Sequence, residues 1–115
     1  MFLRLLPSPI LSLPRVYMTN QSCKQTTGKP RISLVPPALI EQVARVREYG
    51  TAKYGGDSNS WRSVYPENYM DAIGRHLCAC MRDGENAIDK ESGLPHMAHI
   101  ACNAGFILEM LEQKP

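Results

Sequence analysis

The segment YMDAIGRHLCACMRDGENAIDKESGLPHMAHIACN, residues 69–103, decides the predicted fold. It contains every histidine of the chain, and a polar loop between two helical patterns carries three carboxylates. The histidines are His76, His96 and His99, and the carboxylates are Glu85, Asp89 and Glu91. We expect the upstream chain to lead into this segment or to pack against it, so the positions of these polar side chains dominate the functional prediction.

Proline and glycine mark the predicted helix boundaries. Pro66 suits the first turn of a helix, and Gly84 ends the pattern that follows it. The same signals predict an upstream helix over about residues 37–49 with Gly50 as its stop, and a third helix opened by Leu94-Pro95 with Ser92 as a possible cap. The predicted fold is therefore all-α, with three main helices in a small bundle. So short a domain has a thin core, and we expect a homo-oligomer, a dimer or higher, to complete it.

Projection at 100° per residue gives each helix one apolar face. The faces comprise Leu39, Ile40, Val43 and Val46, then Met70, Ile73, Leu77, Cys80 and Met81, and finally Met97, Ile100, Ala104, Leu108 and Leu111. His96, His99 and Asn103 follow at spacings of three and four on the buried side of the third helix, and His76 lies at the edge of the second face. Buried polar groups without partners cost about 1–3 kcal/mol each. These residues therefore form either the wall of a site or an internally satisfied hydrogen-bond network.

The composition limits the class of protein. A chain of 115 residues is one domain, and a net charge of +2 is too weak to argue for nucleic acid. No apolar run approaches the roughly 20 residues that cross a bilayer. We expect no membrane association and no stable nucleic-acid binding. The four cysteines match no common zinc spacing, which favours reduced packing residues in a cytoplasmic protein.

The chain divides into a predicted tail, residues 1–28, and a predicted domain, residues 29–115. The first acidic residue is Glu41, and Pro7, Pro9 and Pro14 interrupt the apolar part of the tail. We expect this tail to be disordered or to be an upstream extension, with Met18 as the working start. A weak membrane or partner contact and an organellar targeting segment are the alternatives.

The loop GTAKYGGDSNSW, residues 50–61, is the second candidate for function. Lys53 supplies a charge suited to phosphate, and Tyr54 and Trp61 offer flat surfaces for a base or ribose. Its glycines permit a close approach of backbone to ligand. The ending of a P-loop is missing, so that motif is excluded. The alternative is a turn that its aromatic residues pin to the core.

Histidines three residues apart with carboxylates nearby predict a divalent metal site. The candidate ligands are His76, Glu85, Asp89, His96 and His99. Imidazole favours Zn, Mn or Fe and carboxylate favours Mg or Mn, so the mixed set points to Mg or Mn, with Zn as a further option. Beside such an ion, the predicted substrate contacts are Lys53, Trp61, Arg75, Arg82 and Asn103. Glu85, Asp89 or His99 would orient the attacking water.

Four segments together resemble one known family: GKPRISLVPP, YGTAKYGGDSNSW, YMDAIGRHL and DGENAIDKESGLPHMAHIACN. Over about residues 28–112 the chain is similar to the dATP/dGTP diphosphohydrolase N-terminal domain family of phage and bacterial proteins. That family is grouped with the MazG-like all-α nucleotide pyrophosphohydrolases. The resemblance implies an oligomeric all-α fold and metal-dependent hydrolysis of purine deoxynucleoside triphosphates to monophosphate and pyrophosphate. It also implies a cytoplasmic location, in a bacterium or in a host infected by phage. By motif it marks Lys53, Trp61, Arg75, His76, Glu85, Asp89, His96 and His99.

One departure from that grouping concerns the metal ligands. MazG-like enzymes carry ExxE and ExxD pairs on successive helices, whereas the ExxE of this chain is Glu109 and Glu112, on the predicted solvent face of the third helix. Histidines stand where acidic ligands are expected. The alternative function is a non-catalytic nucleotide-binding or phage accessory module, in which the histidines only hold the helices together.

Overall fold

The computed structural model describes residues 25–113. Backbone contacts divide the chain into the units Met1–Arg31 and Ile32–Pro115, and the fold below is that of the second unit. The prediction of a disordered or extension tail over residues 1–28 concerns the first unit. Residues 1–24 of that tail lie outside the described residues.

The described residues form three α-helices, which confirms the predicted all-α class. They are α1 (Pro37–Lys53), α2 (Pro66–Asp83) and α3 (His96–Glu112), with short 3₁₀ turns at Ile32–Leu34 and Ser60–Ser63. α1 and α2 each pack against α3, which makes α3 the central helix. Between residues 25 and 113 there is no strand, only an isolated antiparallel bridge between Ile88 and Pro95. No helix of this described part is long and apolar enough to cross a membrane.

The end of α1 differs from the prediction. The helix continues through Gly50 and ends at Lys53. Gly55 has φ +82°, and the N–H of Gly56 donates to the carbonyl of Thr51 at 2.7 Å. This is the C-terminal motif in which a left-handed glycine closes the last turn. The prediction of Gly50 as the stop was wrong, because a glycine can remain helical when a later one takes the left-handed position.

The boundaries of α2 and α3 follow the sequence signals more closely. α2 ends at Asp83, and Gly84 follows it with φ +103°. α3 begins at His96, directly after Pro95, but no side chain caps its first turn. Ser92 was therefore wrongly predicted as a cap. Its hydroxyl instead lies between the side chains of Asp89 and His99.

The core consists of small side chains. Val46, Ala98 and Cys102 form the buried cluster between α1 and α3, and Ala79 and Cys80 are the buried residues of α2. Small residues let helix backbones approach closely, so polar side chains beside them are brought together. The cysteines described are free, and burial raises the pKa of Cys102 to about 11, so its thiol stays protonated.

The predicted apolar faces are only partly buried. Met70, Leu77 and Met81 of α2 are 57%, 46% and 76% exposed, and Leu39, Ile40, Met97, Leu108 and Leu111 are also exposed. α2 instead turns Tyr69, Ala72 and His76 inward together with Ala79. The predicted inward position of His99 is confirmed, since this side chain is 9% exposed. The apolar pattern thus located the helices but not the buried face of α2.

Candidate functional site

A cavity of about 510 Å³ lies among the three helices and the Ser60–Ser63 turn. Most of the predicted site residues line it: Lys53, Trp61, Arg75, His76, Asp89, His99 and Asn103. Glu85 and Arg82 do not; both are exposed outside the cavity. His96 also lies outside the lining, but its ring contacts that of His76. The structure therefore brings together eight of the ten predicted residues, counting His96 with the seven that line the cavity.

The three histidines form a cluster where α2 meets the start of α3. His76 stacks on His99 with ring centres 4.6 Å apart and planes 10° apart. Its Nδ1 lies 2.8 Å from Nδ1 of His96, so one of these nitrogens donates a hydrogen to the other. Burial lowers the pKa of His76, and the neighbouring His99 and His96 lower it further. Burial also lowers the pKa of His99, although Asp89 opposes this shift. His76 and His99 are therefore neutral at pH 7, as ligands and bases must be.

Ser92 connects Asp89 to His99. Its hydroxyl lies 2.9 Å from Oδ2 of Asp89 and 2.7 Å from Nε2 of His99, and it accepts a hydrogen bond from the N–H of Leu94 at 3.2 Å. The backbone N–H of Ser92 also donates to Oδ2 of Asp89 at 3.1 Å. Burial disfavours the charge on Asp89, but these two hydrogen bonds from Ser92, together with the nearby His99 and His76, outweigh it and hold the pKa of Asp89 below its ordinary value.

This arrangement fixes the tautomer of His99. An ionised Asp89 can only accept, so the single hydroxyl hydrogen of Ser92 points to it. The reverse assignment would place two acceptors 2.9 Å apart. Nε2 of His99 therefore carries its hydrogen and donates to the Ser92 oxygen, and Nδ1 keeps the lone pair. A cavity-lining histidine with a fixed basic nitrogen can accept a proton from water.

Lys53 and Glu91 form an ion pair at the edge of the cavity. Nζ of Lys53, the last residue of α1, donates to Oε2 of Glu91 at 2.6 Å. The hydrogen bond raises the pKa of Lys53 and lowers that of Glu91. The ammonium also lies 5.9 Å from the ring centre of Tyr49 and 5.4 Å from that of Tyr54. By contrast, Arg75 forms no ion pair with the residues the structure describes.

Aromatic side chains form the other end of the cavity. Trp61 stacks on Phe106 with ring centres 4.5 Å apart, and Tyr69 contacts Phe106 at 4.9 Å. The hydroxyl of Tyr69 donates to the carbonyl of Trp61 at 2.7 Å. The guanidinium of Arg47 lies 5.2 Å from the ring centre of Phe106. A planar ligand would therefore meet a wall of these rings, because no space separates Trp61 from Phe106.

The two ends of the cavity lie on one helix. His99 and Phe106 are seven residues apart on α3, and both line the cavity. At 1.5 Å per residue this is about 10 Å along the helix axis. The cavity can thus take a ligand with a flat apolar group at one end and a charged group at the other.

Several of these residues escaped the prediction of the site. Phe106, Arg47 and Tyr49 were not among the predicted site residues, and Ser92 was treated as a cap. Helical spacing in α1 could have indicated Arg47 and Tyr49. Both line the same cavity as Val46, Gly50 and Lys53 of that helix. Nothing in the sequence indicates the bridging role of Ser92, because it depends on how the loop closes on α3.

The metal prediction can be compared with the side chains present. Among residues 25–113, no group of three or more His, Cys, Asp and Glu side chains is arranged to hold a metal ion. His76 and His96 do bring two ring nitrogens within 2.8 Å of each other. Both nitrogens could bind a cation only after the hydrogen that they share is displaced, and such a cation would take its other ligands from phosphate oxygens and water, as Mg²⁺ commonly does. Imidazole ligands shift that preference toward Mn²⁺ or Zn²⁺.

Comparison with known proteins identifies relatives. The sequence model of the family described as "dATP/dGTP diphosphohydrolase, N-terminal" matches residues 19–115. A protein of Salmonella phage PMBT28 described as a dATP/dGTP diphosphohydrolase is 36% identical over 88 residues, which cover 76% of this chain. Those residues cover 29% of the phage protein, so the chain spans less than a third of that relative's length. No solved structure matches the chain.

Proposed function

Because the chain belongs to the dATP/dGTP diphosphohydrolase N-terminal family, we propose that its cavity binds a purine deoxynucleoside triphosphate and hydrolyses it to the monophosphate and pyrophosphate. The observation that carries this proposal is the division of one cavity into an aromatic end and an end with histidines and basic side chains. A nucleotide has the same division, between its base and its phosphates.

The phosphates would lie at the histidine end. Arg75 has no carboxylate partner among the described residues, so its charge is available to an anion. Arginine presents several N–H donors in a fixed plane, which suits phosphate oxygens. Lys53 would join it after exchanging Glu91 for a phosphate. Arg82, predicted as a further contact, lies outside the cavity and has no place in this proposal.

The base would lie against the wall formed by Trp61, Phe106 and Tyr69. Aromatic contacts of this kind bind any base, since every base has a π-face. Asn103 lines the same cavity and carries both a donor and an acceptor, so it could select between bases by their edges. A preference for purines would follow from their larger stacking area.

Water activation would fall to His99. Its Nδ1 is the acceptor nitrogen, and the link through Ser92 to Asp89 stabilises the ring after it takes a proton. A general base in this position typically contributes 10²–10⁴-fold. His76 and His96 would hold a divalent cation, which, when bound, neutralises phosphate charge and favours the ionised form of water. Glu85 is exposed outside the cavity and has no place in this arrangement.

The test is direct. Purified, folded protein is incubated with each of the four deoxynucleoside triphosphates and with Mg²⁺, Mn²⁺ or Zn²⁺, and pyrophosphate and monophosphate are quantified. We expect both products from dATP and dGTP in the presence of a cation. Arg75→Met should raise KM about 10-fold or more, since hydrogen bonds to charged groups contribute about 1.5–3 kcal/mol. Arg82→Met is the matched control on the same helix and should leave KM unchanged.

A nucleotide-binding module without catalysis is the competing function. Stabilisation of the protein by dGTP in EDTA, with no product under any condition, would establish this function and overturn the hydrolase proposal. Equal effects of Arg75→Met and Arg82→Met on KM would instead show that the substrate does not occupy the cavity described.

A further inference from the structure

A cation lies at the aromatic end of the cavity. Arg47 lines the cavity, and its guanidinium lies 5.2 Å from the ring centre of Phe106. Trp61 and Tyr69 contact the same ring, so the cation adjoins the wall proposed for the base. Arg47 precedes Lys53 by six residues on α1, which is about 9 Å along the helix axis. The two cations of α1 therefore lie at different ends of the cavity.

Local contacts hold the guanidinium of Arg47 in place. It donates one hydrogen bond to the carbonyl of Ser58, and the Phe106 ring attracts its charge. Among residues 25–113 it makes no other hydrogen bond and no ion pair, so four of the five N–H groups that a guanidinium carries are left for a ligand. Asp57, the residue before Ser58, also lines the cavity, but its carboxylate accepts the N–H of Asn59 at 2.9 Å.

The charge of Arg47 acts on the side chains around it. Burial raises the pKa of Tyr69 and of Cys102, and the positive charge of Arg47 opposes both shifts. Tyr69 and Cys102 also line the cavity. A base placed there would therefore turn an electron-rich edge toward the guanidinium, because ring nitrogens and carbonyl oxygens accept its hydrogen bonds whereas amino groups cannot.

Purines carry such an edge on their five-membered ring. N7 is an acceptor in both adenine and guanine, and guanine adds the acceptor O6 beside it. Cytosine and thymine have no five-membered ring and hence no N7. An arginine that donates to N7 and O6 of guanine is the commonest base-specific contact in protein–DNA complexes, and a donor to N7 alone also suits adenine.

From this geometry we propose that Arg47 is a specificity-determining residue whose guanidinium donates a hydrogen bond to N7 of a purine base held against the aromatic wall. The inference rests on the proposed function, since it needs a nucleotide in the cavity with its base at this end. It adds a directional hydrogen bond to the stacking area that separates purines from pyrimidines. It also leaves the phosphates to Arg75 and Lys53 at the other end.

A nucleotide that lacks N7 tests this hydrogen bond in the unaltered protein. 7-Deaza-dATP has a C–H group in place of N7 and keeps the size of the purine ring, so it separates hydrogen bonding from stacking. Binding is measured by calorimetry in EDTA, which prevents metal-dependent turnover. We expect 7-deaza-dATP to bind about 10-fold more weakly than dATP, as is typical for loss of a hydrogen bond to a charged group. Equal dissociation constants would overturn the role of Arg47.

An Arg47→Met variant connects the effect to this side chain. Methionine keeps an apolar chain beside Phe106 but has no donor, so dATP and 7-deaza-dATP should bind within about twofold of each other. Arg45→Met is the matched control, because Arg45 is exposed on α1 outside the cavity, and it should keep the 10-fold difference. Circular dichroism checks that both variants are folded. An equal loss of affinity for dATP, 7-deaza-dATP and dCTP in Arg47→Met would place the guanidinium at the phosphates and overturn the proposal.

Two results separate this inference from the hydrolase proposal. Release of pyrophosphate from dATP, with equal binding of dATP and 7-deaza-dATP, would leave the hydrolase standing and overturn the role of Arg47. The absence of any product, with a preference for dATP that Arg47→Met abolishes, would overturn the hydrolase and support base recognition by a binding module. Failure of the wild type to bind dATP, with or without Mg²⁺, would overturn both.

Discussion

Replacing Ser92 by alanine would remove one hydroxyl that three groups share. It is bonded to Asp89 at 2.9 Å, to Nε2 of His99 at 2.7 Å and to the N–H of Leu94 at 3.2 Å. A hydrogen bond to a charged group is worth about 1.5–3 kcal/mol and a neutral one about 0.5–1.5 kcal/mol. The sum is an upper limit, since Asp89 keeps the backbone N–H of Ser92 and water can reach the half-buried hydroxyl position. We expect a loss of about 2–3 kcal/mol.

Urea unfolding measures this loss. With an m-value of about 1–1.5 kcal/mol/M for a domain of this size, the midpoint should fall by about 2 M at an unchanged m-value. Ser63→Ala is the matched control, because its hydroxyl makes a single 3.3 Å bond at the surface, and it should cost less than about 0.5 kcal/mol. A loss in Ser92→Ala as small as that of the control would refute the role of Ser92 as the link between loop and helix.

Three further outcomes follow from the same contacts. In EDTA, the melting temperature should be lower at pH 5.5 than at pH 7.5, because burial lowers the pKa of His76 and His99 in the folded protein. Below about pH 6.5 the unfolded chain takes up protons that the folded chain does not, which favours unfolding. Equal melting temperatures at the two pH values would contradict this. Phe106→Ala should cost about 2 kcal/mol and shift the fluorescence of the chain's one tryptophan to the red, and an unshifted spectrum would argue against their stacking. Glu91→Gln should leave the melting temperature within about 1 °C, since exposed ion pairs contribute little. By freeing Lys53, it should tighten pyrophosphate binding several-fold in calorimetry, and weaker binding would show that Glu91 positions the lysine instead.

The sequence was sufficient for the parts of the fold that depend on local signals. Proline at the start of α2 and glycine after its last residue act on their own backbone, so they could be identified without knowing the neighbours. The inward direction of His99 and Asn103 followed from helical spacing alone. Gly50 shows the limit of such signals, because a glycine permits a helix to end but does not force it to end.

The buried face of α2 could not be predicted in the same way. A projection weighted by hydrophobicity selects Met70, Leu77 and Met81 together with Cys80, yet the three large residues are exposed and Cys80 is buried beside Ala79. Which face is buried depends on the surface of α3 opposite, where His96 and His99 meet His76. That complementarity is a property of two helices together, and periodicity describes only one.

Small residues, and not the large apolar ones, occupy the buried face of α2, and this has two related consequences. The buried residues of α2, Ala79 and Cys80, are small, and where α2 packs against α3 the ring centres of His76 and His99 are 4.6 Å apart. Larger side chains at the contact would separate the rings and open the hydrogen bond between His76 and His96. The large apolar residues Met70, Leu77 and Met81 lie on the outside of α2 instead. The geometry of the site and the exposure of Met70, Leu77 and Met81 thus have a common cause, and a substitution such as Ala79→Leu should disturb the histidine cluster while leaving these side chains exposed.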